Sequence, residues 1–548
     1  MNFMAVLEKL LDEHLKVGLG FDLDEKGMVS SWEIKKKVEQ LLIDEIIRTK
    51  SHMKLKEMLM SNIAEGGRSL ENFNKFVKWL KDLIVELTTK NTVSEMSNLP
   101  IVLVLPVPAQ GHVNSFMSFS RKLVEHGFKV IFVNSDFIHK RVMDSWAESK
   151  DSFVGSNIEF VSISDGLRPE DDRTDTVKVI SGLTNAMPAQ LEKLIEDVIC
   201  VNGKISCIVA DVHMGWALEI ASKLGIKRAA LFTYAAAMLA LLDSIPRMID
   251  YGIIDSNGTP IQKRTFQLSP NMPVMHTDQI WWSNNGDLDS QKETFHYNKG
   301  FLQILNSTEW WLCNTTYELE RGPLSFLPKL LPIGPFMENS QSTRSLGQFW
   351  EEDLDCLNWL DQQPPCSVIY VAFGSFTLFD AHQFKELALG LRLTNRPFLW
   401  IVRSDVNINT KYEYPNEFKG NVGKIVGWAP QKQVLSHPAI ACFISHCGWN
   451  STIEGLWNGV PFLCWPYFCD QFFNKQYICD EWKLGLGFDL DASGIVSSGE
   501  IKKKVDQLLD DESIRTRSMK LKETLMSNMA EDSPTSENFN KFVKWVKE

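Results

Sequence analysis

Apolar and polar positions along this chain follow a strand-then-helix rhythm. Pro100 to Val107 is a nearly unbroken apolar run that leads into proline and then glycine, the pattern of a strand buried on both faces. Ala109 to His112 reads as a loop, Phe116 to His126 has helical spacing, Gly127 closes that helix, and Lys129 to Asn134 reads as the next strand. The rhythm returns at Ile205 to Ala210, Trp216 to Leu224 and Ala229 to Phe232. It fades between Arg247 and Gln303, where Trp281, Trp282, Asn284 and Asn285 suit a ligand-facing loop, irregular helices or a plain surface insertion equally well. It resumes with a strand at Ser367 to Phe373 that runs into Gly374 and Ser375, a helix at Ala381 to Leu391 and a strand at Phe398 to Val402. Repeated units of this kind predict an α/β protein with two doubly wound, Rossmann-like domains and ligand groups at the carboxyl ends of their strands. The expected divisions are a leader at 1–95, a first domain at 96–337, a linker at 338–347, a second domain at 348–530 and a terminal helix at 531–548. Pro332, Gly334 and Pro335 stiffen the approach to the linker.

Length supports the division, because 548 residues exceed what one ordinary core holds. A formal net charge of -12 argues against wrapping a nucleic-acid backbone, though it leaves room for a small anion at a helix end. The ten cysteines show no dense secreted-type framework. Cys442, Cys447, Cys464 and Cys469, with His437 and His446 nearby, lack a CxxC pair and fit strands and strand ends as small buried side chains, so no metal is expected. No apolar run reaches membrane-spanning length, and Ala229 to Leu242 comes nearest. A soluble monomer in the reducing cytoplasm is the simplest expectation.

The chain also repeats itself. Lys16 to Asp82 matches Lys483 to Glu548 with 48 identities in 66 aligned pairs and one gap at His52. Two copies at opposite ends do not make a solenoid. The front copy reads as the tail of a second, similar chain joined ahead of a complete one that begins near Met96, through fusion or a misjoined gene. A protein starting at Met96 is expected to keep its activity.

The most informative stretch is Trp428 to Gln471, WAPQKQVLSHPAIACFISHCGWNSTIEGLWNGVPFLCWPYFCDQ. A short apolar strand at Ala441 to Ser445 leads to His446, Gly448, Asn450, Ser451 and Glu454, where a helix should begin at Asn450 or Ser451. Unpaired N–H groups and the helix dipole favour an anion there, and Gly448 would let a ligand approach the backbone. This stretch resembles, without insertion or deletion, the signature box of the plant family 1 glycosyltransferases, which move sugar from a UDP-sugar to small acceptors.

The resemblance implies roles for specific residues. His112, in a GH pair after the first strand, corresponds to the family's base, and Asp211 to the aspartate that orients it. From position alone a structural histidine remains a rival reading, and Asp165 a weaker carboxylate candidate. His446, Asn450, Ser451 and Ser375 correspond to diphosphate contacts. Trp428, with Ala429 behind it, corresponds to the uracil stack, Glu454 to the ribose clamp, and Gln431 lies near the same pocket. Asp470 and Gln471 correspond to sugar contacts, with Gln471 favouring glucose, and Trp449 would cover the sugar and offer a backbone or side-chain donor. The resemblance further implies no cofactor beyond UDP-glucose as donor substrate, an apolar hydroxylated acceptor that takes glucose on a hydroxyl or carboxyl group, direct inverting displacement, and a last helix that crosses back to the first domain. A silent nucleotide-sugar-binding protein of the same fold is the alternative. One departure stands out: the family's loop often has proline two residues after GHV, and this chain has Asn114 and Ser115.

Overall fold

The computed structural model describes residues 99–147, 157–171, 173, 176–284, 286–337, 347–377, 379–403, 423–528, 530 and 532–548. The expectations for the leader at 1–95, for Asn285 and for nearly all of the linker at 338–347 lie outside these residues. Two parallel sheets belong to one compact unit made of Pro100–Ser149 and Ile158–Glu548.

The first sheet is built from β1 (Ile101–Leu105), β2 (Lys129–Ser135), β3 (Ile158–Ile163), β4 (Ile205–Asp211), β5 (Lys227–Phe232), β6 (Trp310–Cys313) and β7 (Leu330–Pro332), in the order β3-β2-β1-β4-β5-β6-β7. All its pairings are parallel. All five side chains of β1 are buried, which is why it appears as an unbroken apolar run rather than an alternating one. The chain steps outward from β1 to β3 and then returns to pair β4 with β1. The gap between those two strands is therefore the switch point, where the loops at the carboxyl ends diverge and leave a crevice.

The second sheet repeats this arrangement. Its strands β8 (Val368–Ala372), β9 (Phe398–Ile401), β10 (Gly423–Val426), β11 (Ile440–Ser445), β12 (Phe462–Cys464) and β13 (Gly485–Gly487) run in the order β10-β9-β8-β11-β12-β13, with the switch point between β8 and β11. The doubly wound expectation holds in both halves.

Two local expectations need correction. The stretch Ala109 to His112 is not a loop: helix α1 covers Gln110–Glu125, with Ala109 as its extended N-cap, so His112 lies in the first turn. Apolar periodicity missed this turn because a polar residue, Gln110, shares its buried face with Val113. The stretch with the weakest pattern contains a 19-residue helix, α3 (Leu288–Asn306), capped by the Asp287 side chain on the N–H of Ser290. Its inward face mixes Phe295, Phe301 and Leu305 with Thr294 and Asn298, which blurs the hydrophobic stripe. Between them, α2 (Ala236–Asp243) follows β5 directly.

The terminal helix spans Pro534–Lys547 and buries Phe539, Phe542, Val543 and Val546. Phe542 lies 6.2 Å from Phe119 and 5.6 Å from Trp310, ring centre to ring centre. Lys227 Nζ donates to the Trp545 carbonyl at 2.6 Å and Asn538 Nδ2 to that of Pro332 at 3.0 Å. The tail thus packs on the first lobe, as expected. Phe542 is fully buried, so Phe542→Ala should destabilise the protein by about 3–5 kcal/mol through lost burial and a cavity. Denaturant unfolding would measure this loss.

Candidate active site

The carboxyl ends of β1, β4, β8 and β11 converge on one cavity of about 430 Å³. At its first-lobe end, Asp211 terminates β4 and is fully buried. Its Oδ2 lies 2.6 Å from His112 Nδ1, and its Oδ1 lies 3.2 Å from His213 Nδ1 while accepting the His213 N–H at 3.1 Å. Thr233 Oγ1 is 3.0 Å from the same His112 nitrogen. Burial alone would raise the Asp211 carboxyl, but the two facing imidazoles hold it well below the usual carboxylate range. An ionised carboxylate only accepts, so the proton on His112 sits on Nδ1 and Nε2 carries the lone pair. Burial alone would lower the His112 imidazole, but the charge and hydrogen bond of Asp211 raise it above its ordinary value. The pair can therefore take a proton from a hydroxyl brought to Nε2 and stabilise the resulting cation.

His213 is a site residue that the sequence reading passed over. The signal was local: a histidine two residues after a strand-end aspartate can fold back onto the same carboxylate. Tyr297 Oη donates to the His213 carbonyl at 2.6 Å, and Tyr234 and Trp281 also line this end of the cavity. Trp282, by contrast, is only 1% exposed and belongs to the core. The competing Asp165 accepts the Leu167 N–H and pairs with Arg173 at 3.3 Å, away from His112.

At the second-lobe end, past α4 (Ala381–Leu393) and α5 (Gln431–Ser436), helix α6 covers Trp449–Asn458 and begins one residue earlier than expected, with Gly448 as its N-cap and no acidic residue in its first turn. Thr452 makes the first helical bond, to the Gly448 carbonyl at 2.9 Å. The N–H groups of Trp449, Asn450 and Ser451 precede that bond, giving a local positive end that suits a phosphate. His446, where β11 ends, is driven down to about 4 by burial and is neutral at pH 7. Gly448 lines the cavity and also makes room for His446: a Cβ there would meet His446 Nε2 at 2.4 Å, and one at Gly374 would meet it at 2.7 Å. The two glycines make room for the imidazole. Ser375 follows Gly374 in the turn after β8 and also lines the cavity.

Farther along, Trp428 Nε1 donates to Gln348 Oε1 at 3.0 Å, and Trp350 backs its ring at 4.7 Å. Ala429 is buried beside it. Gln431 Nε2 donates to Ser451 Oγ at 2.8 Å and to Glu454 Oε2 at 2.7 Å, while its Oε1 accepts from Tyr370 Oη at 3.2 Å. Gln431 therefore holds the other two in place. Burial raises the Glu454 carboxyl, opposed by Lys432 and the Gln431 bond.

The geometry narrows three expected roles. Trp449 Nε1 donates to the Asn314 carbonyl at 2.9 Å, so its side-chain donor is spent on the first lobe. Asn450 Nδ2 donates to the Gly111 carbonyl at 2.8 Å, again across the lobes, leaving its backbone N–H at the helix end. Gln471 Oε1 accepts the N–H groups of Tyr467 and Phe468 at 2.7 and 3.0 Å, so only its amide donors remain for a ligand. Asp470 accepts from Asn474 Nδ2 at 2.9 Å, and burial pushes its carboxyl up to about 6. Among the described residues no three His, Cys, Asp or Glu side chains form a group that could hold a metal ion.

Two facing parallel α/β lobes, a histidine–aspartate pair on one and an anion-receiving helix end on the other define a sugar transferase of the GT-B type, built to use a nucleotide-activated donor. The profile of the UDP-glucoronosyl and UDP-glucosyl transferase family matches residues 285–547. The chain is 45% identical over 466 residues to UDP-glycosyltransferase 83A1 of Arabidopsis thaliana, covering 83% of this chain and 99% of that protein. It is 31% identical over 494 residues to 7-deoxyloganetin glucosyltransferase of Catharanthus roseus, covering 83% of this chain and 98% of that one. Its fold matches the crystal structure of Os79 from O. sativa in complex with UDP, with a TM-score of 0.68 and 24% identity over 81% of this chain and all of that one. The chain belongs to the plant UDP-glycosyltransferase family and is an enzyme that transfers sugar from a UDP-sugar to a small acceptor. Among the described residues no helix is long and apolar enough to cross a membrane.

Proposed function

We propose that this enzyme moves glucose from UDP-glucose to a hydroxyl group of a small, largely apolar plant metabolite in the cytoplasm, with His112 as general base and Asp211 as its partner. The observation that carries the reading is the 2.6 Å contact between His112 and Asp211, opening onto the same cavity as the start of α6. His112 Nε2 takes the acceptor proton as the acceptor oxygen attacks the anomeric carbon. The C–O bond to the diphosphate breaks, and UDP leaves with that electron pair. Attack opposite the leaving group inverts the anomeric centre, so an α-linked donor yields a β-glucoside.

The backbone N–H groups at the start of α6, with His446, Ser451 and Ser375, stabilise the charge developing on the leaving diphosphate. Trp428 stacks on the uracil beside Ala429, and Glu454, steadied by Gln431, accepts from the ribose hydroxyls. Asp470 accepts from sugar hydroxyls and the Gln471 amide donates to them. Trp449 and Asn450 contribute through the backbone and by bracing the lobes. Glucose is favoured by Gln471 and by the activity named for the Catharanthus relative. The apolar acceptor is favoured by Val179, Ile180, Leu183, Met238 and Leu242 in the cavity wall.

The test is glucoside formation from UDP-glucose across a panel of phenols and terpenoid alcohols, with the product followed by mass. UDP binding without transfer to any of them would favour a silent binding protein. A pH series adds a specific expectation. His112 works only when neutral, so kcat/KM for the acceptor should fall as pH drops through a value above 6.5, the ordinary imidazole value. Asp470 should add a rise in the donor KM as pH falls through about 6. Varying donor and acceptor separately resolves the two limbs.

A further inference from the structure

The first turn of α1, which carries His112, is fastened to the second lobe at two places. Gln110 Nε2 donates to the Gly347 carbonyl at 2.9 Å and Gln110 Oε1 accepts the Phe349 N–H at 2.7 Å, where the chain enters that lobe. One turn along, Ser115 Oγ donates to Asn450 Oδ1 at 2.8 Å, while Asn450 Nδ2 donates to the Gly111 carbonyl at 2.8 Å. The Asn450 amide thus has both ends engaged by α1, on either side of His112. Its approach is close: a Cβ on Gly111 would meet Asn450 Nδ2 at 3.0 Å.

Taking the proposed function as its basis, we infer that Ser115 is a positioning residue: through Asn450 it fixes the His112 turn against the start of α6, and so sets the base relative to the anomeric carbon. The physical reason is geometric. The base belongs to one lobe and the donor diphosphate to the other, so their separation is only as well defined as the contacts between the lobes, and small misplacements weaken transition-state stabilisation. A residue without a side-chain hydroxyl at 115 could not make this bond. The Gly111 carbonyl, which can only accept, holds the amide nitrogen toward it, and the Ser115 hydroxyl donates to the amide oxygen on the other side. Without the hydroxyl the amide loses one of its two anchors. The bond should tighten alignment in the transition state more than it aids binding of either substrate.

The experiment is a double-mutant cycle on the full chain with Ser115→Ala, Asn450→Ala and the pair, assayed with UDP-glucose and the first panel acceptor that the wild type glucosylates. Ser115→Ala should lower kcat about fivefold, with both KM values within about twofold of wild type and Tm unchanged. In the Asn450→Ala background the same change should have almost no further effect, because Ser115 acts through that side chain. An unchanged kcat in Ser115→Ala, an equal loss in both backgrounds, or a fall in Tm without a fall in kcat would each overturn the inference. A wild type that glucosylates nothing in the panel would instead overturn the functional reading beneath it.

Discussion

His112→Ala is expected to lower glucosyl transfer to hydroxyl acceptors about a thousandfold, within the range for loss of a positioned general base, while UDP affinity measured by calorimetry stays within about twofold. The split follows from where the parts lie. His112 sits in the first turn of α1, and the contacts assigned to the nucleotide come from the second lobe, at Trp428, Ser451 and Glu454. Alanine removes the only lone pair assigned to the acceptor proton and leaves the nucleotide face untouched. Product quantified by mass alongside the UDP titration reads both effects. Equal losses of binding and turnover would mean that the ring supports the fold and does no chemistry.

Asp211→Asn is expected to lower kcat about a hundredfold or more, by analogy with a carboxylate-to-amide change in a histidine–aspartate pair, and to displace the pH profile. The carboxylate is what raises the His112 imidazole against the opposing effect of burial. An amide removes the charge, so burial prevails and the imidazole becomes harder to protonate. The acidic limb of kcat/KM should therefore move to lower pH even as the maximum falls. Asparagine can also present its NH2 group to Nδ1, which favours the wrong tautomer and turns Nε2 into a donor. Because Asp211 also holds His213, the variant should perturb acceptor KM as well. A lower rate with an unmoved acidic limb would contradict the proposed electrostatic partnership.

Much of this architecture was legible in the sequence, for a physical reason. Buried parallel strands must be apolar throughout, so β1, β4, β8 and β11 stood out, and their carboxyl ends, with the residues just beyond, place His112, Asp211, Ser375 and His446 beside a switch point. The 44 residues from Trp428 to Gln471 held most of the side chains that line the second-lobe side of the cavity. What escaped was polar burial. The first turn of α1 and the inward face of α3 are buried against polar partners or the cavity, so a hydrophobic stripe does not mark them. Hydrogen-bond direction was equally hidden: nothing in the order of residues announces that Trp449 and Asn450 spend their side chains across the lobes, or that Gln471 spends its oxygen on its own loop. His213 was visible as a residue but not as a partner, because its role depends on a tight turn after β4.

The geometry also relates two features that looked separate in the sequence. Ser115 was a departure from the family pattern and Asn450 a standard part of the donor box, yet they meet at 2.8 Å. The residue that departs from the family pattern on one lobe is thus the one that bonds to the other.

The most direct test of the account is a crystal structure of the ternary complex with an acceptor and a fluorinated, non-transferable analogue of UDP-glucose. The acceptor oxygen should lie within hydrogen-bonding distance of His112 Nε2 and face the anomeric carbon opposite the diphosphate, with the phosphates at the start of α6. An acceptor oxygen on the diphosphate side of the sugar, or a His112 ring turned away from it while both substrates are bound, would contradict it.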